Sequence, residues 1–223
     1  MSLTVHLEAS GYLALSLDDG KVNALDEAVL ERLLDAFSQA AVKQQAVLLQ
    51  GREGCFSAGY NLKVMQAGGE PRRRLRALGD QLKLAMLEHP APVVIACTGH
   101  ALAKGALLLM CADHRLGMQG AFQLGLNETA IGISMPQSAI ELAKARLDTR
   151  LHSTMILNAQ LLSPEQAQAA GLLDELIPRD GFLHAAKARM QTLLALDKQA
   201  YAQTKARLRA PLLARLRQSF AED

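Results

Sequence analysis

The chain has 223 residues, half of them hydrophobic and 21% charged, with a formal net charge of +2. That length can bury a sizeable core as one domain, and the balance excludes a disordered chain or one globally committed to nucleic acid. Three cysteines, Cys55, Cys97 and Cys111, lack CxxC spacing, and their odd number argues against a complete disulfide framework; they suit small buried hydrophobes in a reducing compartment.

Residues 2–8 and 11–17 alternate apolar and polar around Ser10-Gly11, which predicts an opening hairpin with no secretory signal in it. After DDGKVNAL, Asp26 stands as the N-cap of a helix with Val29, Leu30, Leu33, Leu34 and Phe37 on one apolar face. AVLLQG predicts a buried strand, and REGCFSAGYNL a loop leading into a short helix. Residues 71–88 predict a charged amphipathic helix, stopped by HPAPVV because neither proline can donate to a helix ladder. VVIACTG predicts another buried strand. AKGALLLMCA follows as a helix apolar almost all round, which places it inside the domain. HRLGMQ, AFQLG and GLLDELIP predict short strands, with helices over most of the remainder.

Alternation of strand and helix before residue 125 implies an α/β core, and the strand pieces suit the turns of a layered spiral at least as well as a doubly wound sheet. Residues 198–223 carry six Lys/Arg against two acids, as an appended helical layer or subunit contact. The longest apolar run, GALLLMCAD, is too short to cross a bilayer, and the SFAED ending is no peroxisomal address, so the expectation is a cytoplasmic protein.

The sequence lacks a GxSxG elbow, a GxxxxGK[ST] loop, an HExxH pair and any clustered Cys/His set, which leaves no predicted metal site. Six singly scattered histidines read as structural or surface residues. What remains is acid–base chemistry supported by backbone dipoles. In CFSAGYNL, Gly59 permits an unusual backbone angle that turns the Tyr60 amide toward a cavity. In TGHALAKGALLLM, Lys104 opens the buried helix, whose unpaired N–H groups and dipole favour developing negative charge. Either turn alone is also a plain loop-to-helix junction. FQLGLNETAIGISMP sets one acid, Glu128, among apolar residues, either as a helix cap or as a base whose pKa desolvation raises.

Together these segments resemble the crotonase superfamily, the enoyl-CoA hydratase/isomerase family. KVNAL at 21–25, FSAGYNL at 56–62, PVVIACTGHALAKGALLLMCADHRLG ending near Asp113, and LSPEQAQAAGLLDELIP follow its motif order over residues 2–180. The resemblance implies a crotonase-type α/β spiral of β-β-α units over 1–180, a helical trimerisation region over 181–223, and a homotrimer or dimer of trimers. It implies an acyl-CoA thioester as substrate, with no cofactor beyond that coenzyme A. It assigns Tyr60 and Lys104 as backbone donors to the thioester oxygen, with the bulky Lys104 side chain, where the family usually has glycine, expected to leave the pocket. Asn61 stands where the family usually has aspartate.

The family's hydratases use two glutamates, and the resemblance aligns these with Leu107 and Glu128. Adding water favours two proton-transfer groups, whereas moving a double bond favours one mobile base. GLNETAIGISMP also resembles the single-glutamate segment of Δ3,Δ2-enoyl-CoA isomerases. Isomerase is therefore the favoured expectation, with Glu128 as base. A hydratase or other crotonase reaction, and a non-catalytic CoA- or RNA-binding member, are the alternatives. Coenzyme A contacts are expected from Lys21, Ser57, Ala58 and Tyr60, with Arg73 of the RRR run and Lys205 as further candidates. Residues 64–90 are expected to wall the acyl pocket.

Overall fold

The computed structural model describes residues 2–220; the last three residues of the SFAED ending lie outside them. The opening hairpin pairs β1 (Ser2–Leu7) antiparallel with β2 (Leu13–Asp18), Thr4 opposite Ser16. Helix α1 (Glu27–Val42) starts where Asp26 accepts the Val29 amide at 3.0 Å, and it buries Val29, Leu30, Leu33 and Phe37. Strand β3 (Val47–Gln50) is followed after a bend by β4 (Gly54–Ser57), then α2 (Leu62–Ala67) and α3 (Gly69–Leu87). The same unit recurs as β5 (Val93–Cys97), β6 (Gly99–Leu102) and α4 (Lys104–Cys111), and again as β7 (His114–Met118), β8 (Leu124–Gly125) and α5 (Gln137–Arg146). Helix α6 (Pro164–Ala169), strand β9 (Glu175–Ile177), α7 (Phe182–Leu194) and α8 (Lys198–Ser219) complete the chain.

In each repeated unit the first strand joins one sheet and the second joins another. One sheet has six strands in the order β1-β2-β3-β5-β7-β9, all parallel beyond the first pair; the other has β4-β6-β8, all parallel. This is the spiral expected from the sequence. Two of its strands, β4 and β6, fall where the sequence reading had a loop and a turn.

Parallel strands need both faces covered, which explains their unbroken apolar runs. Val47, Leu49, Val93 and Ile95 face the main core, while Leu48, Val94 and Ala96 face a second layer closed by Phe182, Ala186 and Met190 of α7. Every residue of α4 is buried, as its all-round apolar sequence requires. Helix α8 packs on α5 and α3 and puts Leu212, Leu213 and Leu216 into the main core. No helix among the described residues is long and apolar enough to cross a membrane.

Asn23 ties the first turn of the spiral to the second. Its buried Nδ2 donates to the carbonyls of Leu17 at 2.9 Å and of Cys55 and Phe56 at 3.1 Å, while Oδ1 accepts the Asp19 amide. Asn23→Ala strands those carbonyls away from water, so it is expected to lower unfolding free energy by about 2–4 kcal/mol in a denaturant titration.

Candidate active site

The three short parallel strands β4, β6 and β8 run in register, Ser57 beside Ala101 and Ala101 beside Leu124. Their carboxyl ends therefore emerge on one side. Three residues beyond Ser57 comes Tyr60, three beyond Ala101 comes Lys104, and four beyond Leu124 comes Glu128. Sheet register brings together residues far apart in the chain.

Each turn is braced. Leu25 donates to the Gly59 carbonyl at 2.7 Å and accepts the Asn61 amide at 2.8 Å, so the Tyr60 amide between them is left out of the pairing. Ala103 donates to the Gly125 carbonyl at 2.9 Å, and Lys104 follows as the first residue of α4, whose amide has no partner within the helix. The two turns touch: Gly59 has φ +90°, and a Cβ there would lie 3.0 Å from the Lys104 nitrogen. Gly105 lets α4 begin directly against β4, since a Cβ there would come within 2.2 Å of the Ser57 oxygen. Ala103 holds φ +49°, an unusual angle for a residue with a side chain, and this strain aims the following amide out of the ladder. Two free amides and a helix dipole form a ready anion cradle.

A cavity of about 580 Å³ opens over this edge. Ala58, Tyr60, Lys104, Leu107, Asn127 and Glu128 all line it. Glu128 is only 7% exposed and precedes a single 3-10 turn, Thr129–Ile131, without its side chain capping that turn. Its Oε2 is buried with no hydrogen-bond partner among the described residues, and burial pushes the carboxyl pKa up, opposed by its backbone hydrogen bond and the Lys104 charge. The capping alternative therefore fails. Of the apolar residues flanking Glu128, Ile131 lines the cavity, whereas Leu126 sits in the main core.

Lys104 departs from expectation. Its side chain stays at the cavity, 2% exposed, with Nζ donating to the Gly79 carbonyl at 2.6 Å and lying 5.4 Å from the centroid of the Tyr60 ring. Burial, reinforced by Lys83, pulls its pKa down to about 7. Burial likewise pushes the Tyr60 phenol well above its ordinary range. Asn61 caps α2 by accepting the Lys63 amide at 3.1 Å, so an amide oxygen serves as a carboxylate would.

The coenzyme A candidates separate. Ala58 and Tyr60 line the cavity, whereas Lys21 is exposed and outside it; Val22 and Ala24 of the same segment line it. Ser57 is fully buried, its hydroxyl donating to the Asn23 carbonyl at 2.8 Å and accepting the Gly59 amide at 3.1 Å, so it braces the turn from behind. Arg73 pairs with Glu70 on the helix surface. Lys205 is buried against Asp113 at 2.5 Å and the Ala91 carbonyl, so its amine is already matched within the chain. Residues 64–90 do wall the cavity, but with Met65 they contribute Arg72, Arg76, Asp80 and Lys83. The spacing of those four at i, i+4, i+8 and i+11 was visible in the sequence as one helical stripe.

A spiral of strand–strand–helix turns feeding two parallel sheets is the crotonase fold. The chain belongs to the enoyl-CoA hydratase/isomerase family, whose profile matches residues 8–223. It is similar to an enoyl-CoA hydratase/isomerase family protein from Pseudomonas syringae, with 38% identity, a TM-score of 0.95, and coverage of 99% of this chain and 96% of that one. It is also similar to the apo enoyl-CoA isomerase of Mycobacterium tuberculosis, at 34% identity and a TM-score of 0.91 over 97% of this chain and 95% of that one. Among curated proteins, the bovine mitochondrial enoyl-CoA hydratase domain-containing protein 2 is 29% identical over 184 residues, 77% of this chain. The chain spans 60% of that relative's length.

Proposed function

We propose that the protein binds acyl-CoA thioesters and moves a C3–C4 double bond to C2–C3, with Glu128 as the proton carrier. The carboxylate takes a proton from C2, and the electron pair of that bond delocalises onto the thioester oxygen as a dienolate. The Tyr60 and Lys104 amides hold this charge; one such donor contributes about 10²–10³ in rate. Glu128 then returns the proton at C4, the electrons fall back from oxygen, and the C2–C3 double bond forms. No cofactor takes part, and water is not consumed.

The observation that carries this reading is that Glu128 and Leu107 both line the cavity. Glu128 is the buried carboxylate among the lining residues, and Leu107, an alkyl side chain, is the residue that the resemblance aligns with the second acid of hydratases. The other cavity carboxylate, Asp80, is tied to Lys83 at 2.7 Å. A second reading, hydration of a 2-enoyl-CoA, is favoured by the Lys104 amine, whose pKa near 7 suits a second proton donor.

Assays of 3-enoyl-CoA and 2-enoyl-CoA side by side separate them. The expected result is conversion of the 3-enoyl to the 2-enoyl thioester, with hydration slower by an order of magnitude or more. Hydration as the dominant reaction overturns the isomerase reading, and tight binding without turnover on either substrate makes the protein a non-catalytic member. Assembly as a homotrimer or dimer of trimers in the cytoplasm is part of the same proposal. Sedimentation of the purified protein tests the assembly.

A further inference from the structure

The cavity wall contributed by α3 is ionic. Arg72, Arg76, Asp80 and Lys83 follow one face of the helix, passing from the exposed Arg72 through half-buried Arg76 and Asp80 to the buried Lys83. Lys104 adds a further amine from α4. Counting Glu128 and Asp80 as the acids, cations outnumber carboxylates around the cavity.

The pairing is uneven in an informative way. Arg73 and Arg74, which do not line the cavity, are matched to Glu70 and to Glu27 and Glu31. Lys83 is matched to Asp80 and to the Ser138 hydroxyl at 2.8 Å. Arg72 and Arg76, which do line it, make no ion pair or hydrogen bond to any described residue. A plain hydrocarbon chain laid against Arg76 would strip water from a guanidinium and return no partner, which costs free energy. An anionic group would supply the missing partner in the bidentate geometry that arginine favours.

We infer that the acyl group accepted here carries a carboxylate away from the thioester, and that Arg76, with Arg72 above it at the mouth, is the specificity-determining contact. This rests on the acyl-CoA reading of the cavity but not on the isomerase chemistry.

The test uses saturated thioesters, which no isomerase or hydratase step can consume: hexanoyl-CoA, adipoyl-CoA (the same chain length ending in a carboxylate) and free coenzyme A. Calorimetric titration of the wild-type protein is expected to show adipoyl-CoA binding about 10- to 100-fold more tightly than hexanoyl-CoA. Arg76→Gln is expected to bring adipoyl-CoA to the hexanoyl-CoA level while leaving free coenzyme A unchanged. Equal or weaker binding of adipoyl-CoA to the wild type overturns the inference without any variant being needed. Equal loss for all three ligands in Arg76→Gln also overturns it, and assigns the guanidinium to the coenzyme's phosphates. No binding of any thioester or of free coenzyme A defeats the acyl-CoA reading itself, which keeps the two failures apart.

Discussion

Replacing Glu128 by glutamine is expected to cut isomerase turnover by about 10²–10⁴-fold while leaving thioester affinity within a few-fold of wild type. Glutamine keeps the volume and one oxygen, so the cavity retains its shape, but it cannot accept the C2 proton. The loss should appear in kcat, because the two free amides that hold the thioester oxygen belong to Tyr60 and Lys104 and are untouched. Wild-type activity should rise with pH along a limb lying above the ordinary carboxylate range, since burial raises the Glu128 pKa. A variant that turns over at the wild-type rate would remove Glu128 from the reaction.

The same substitution has a stability consequence of opposite sign. A carboxyl whose pKa is higher folded than unfolded holds its proton more tightly in the fold. Its contribution is intact below the unfolded value of about 4.5 and is lost as pH rises through the folded value. Above the folded pKa the wild type therefore carries an ionised, incompletely partnered group that the variant lacks. Glu128→Gln should be at least as stable as wild type there, with any advantage shrinking toward pH 4. An inactive but undiminished fold is the signature of a residue retained for chemistry at the expense of stability.

How far the sequence was legible follows the range of the interactions involved. The hairpin, the Asp26 cap and α4 were readable because each is decided by residues within a few positions of one another. Strands β4 and β6 were not: each has four residues beside a bend, too short for a period, and each is held by pairing with strands remote in the chain. The site shows the same division. Motif order located Tyr60, Lys104 and Glu128. The direction of the Lys104 side chain depends on the Ala103 backbone angle and on a carbonyl 25 residues away. Lys205 looked available because its partner Asp113 lies 92 residues earlier. The arginine run was read as a run; which members are already matched depends on Glu27 and Glu31 of α1, a helix whose packing against α3 no local pattern reveals.

Lys104→Met is expected to change stability by an amount that depends strongly on pH. In the fold the ammonium is buried and its pKa falls from 10.5 to about 7, so between those values the unfolded chain binds the proton and the folded chain does not. Wild-type stability contributed by this group therefore rises with pH across that window, and the cost of burying the cation is fully present below pH 7. The full difference is on the order of 5 kcal/mol. Methionine fills a similar volume and does not titrate, so its advantage over the wild type should be largest near pH 6.5 and should dwindle toward pH 10. Loss of the Gly79 hydrogen bond and the Tyr60 ring contact offsets part of that advantage at every pH, by about 1–2 kcal/mol. Urea titrations of both proteins at pH 6.5, 8 and 9.5 read the difference directly, and a gap that stays constant across the series would mean that the amine is not held in a depressed state. The variant also removes a positive charge that lowers the Glu128 pKa, so the acidic limb of its activity should move to higher pH. Because the backbone amide at position 104 survives the substitution, that shift, and not loss of the oxyanion contact, is the change expected in catalysis.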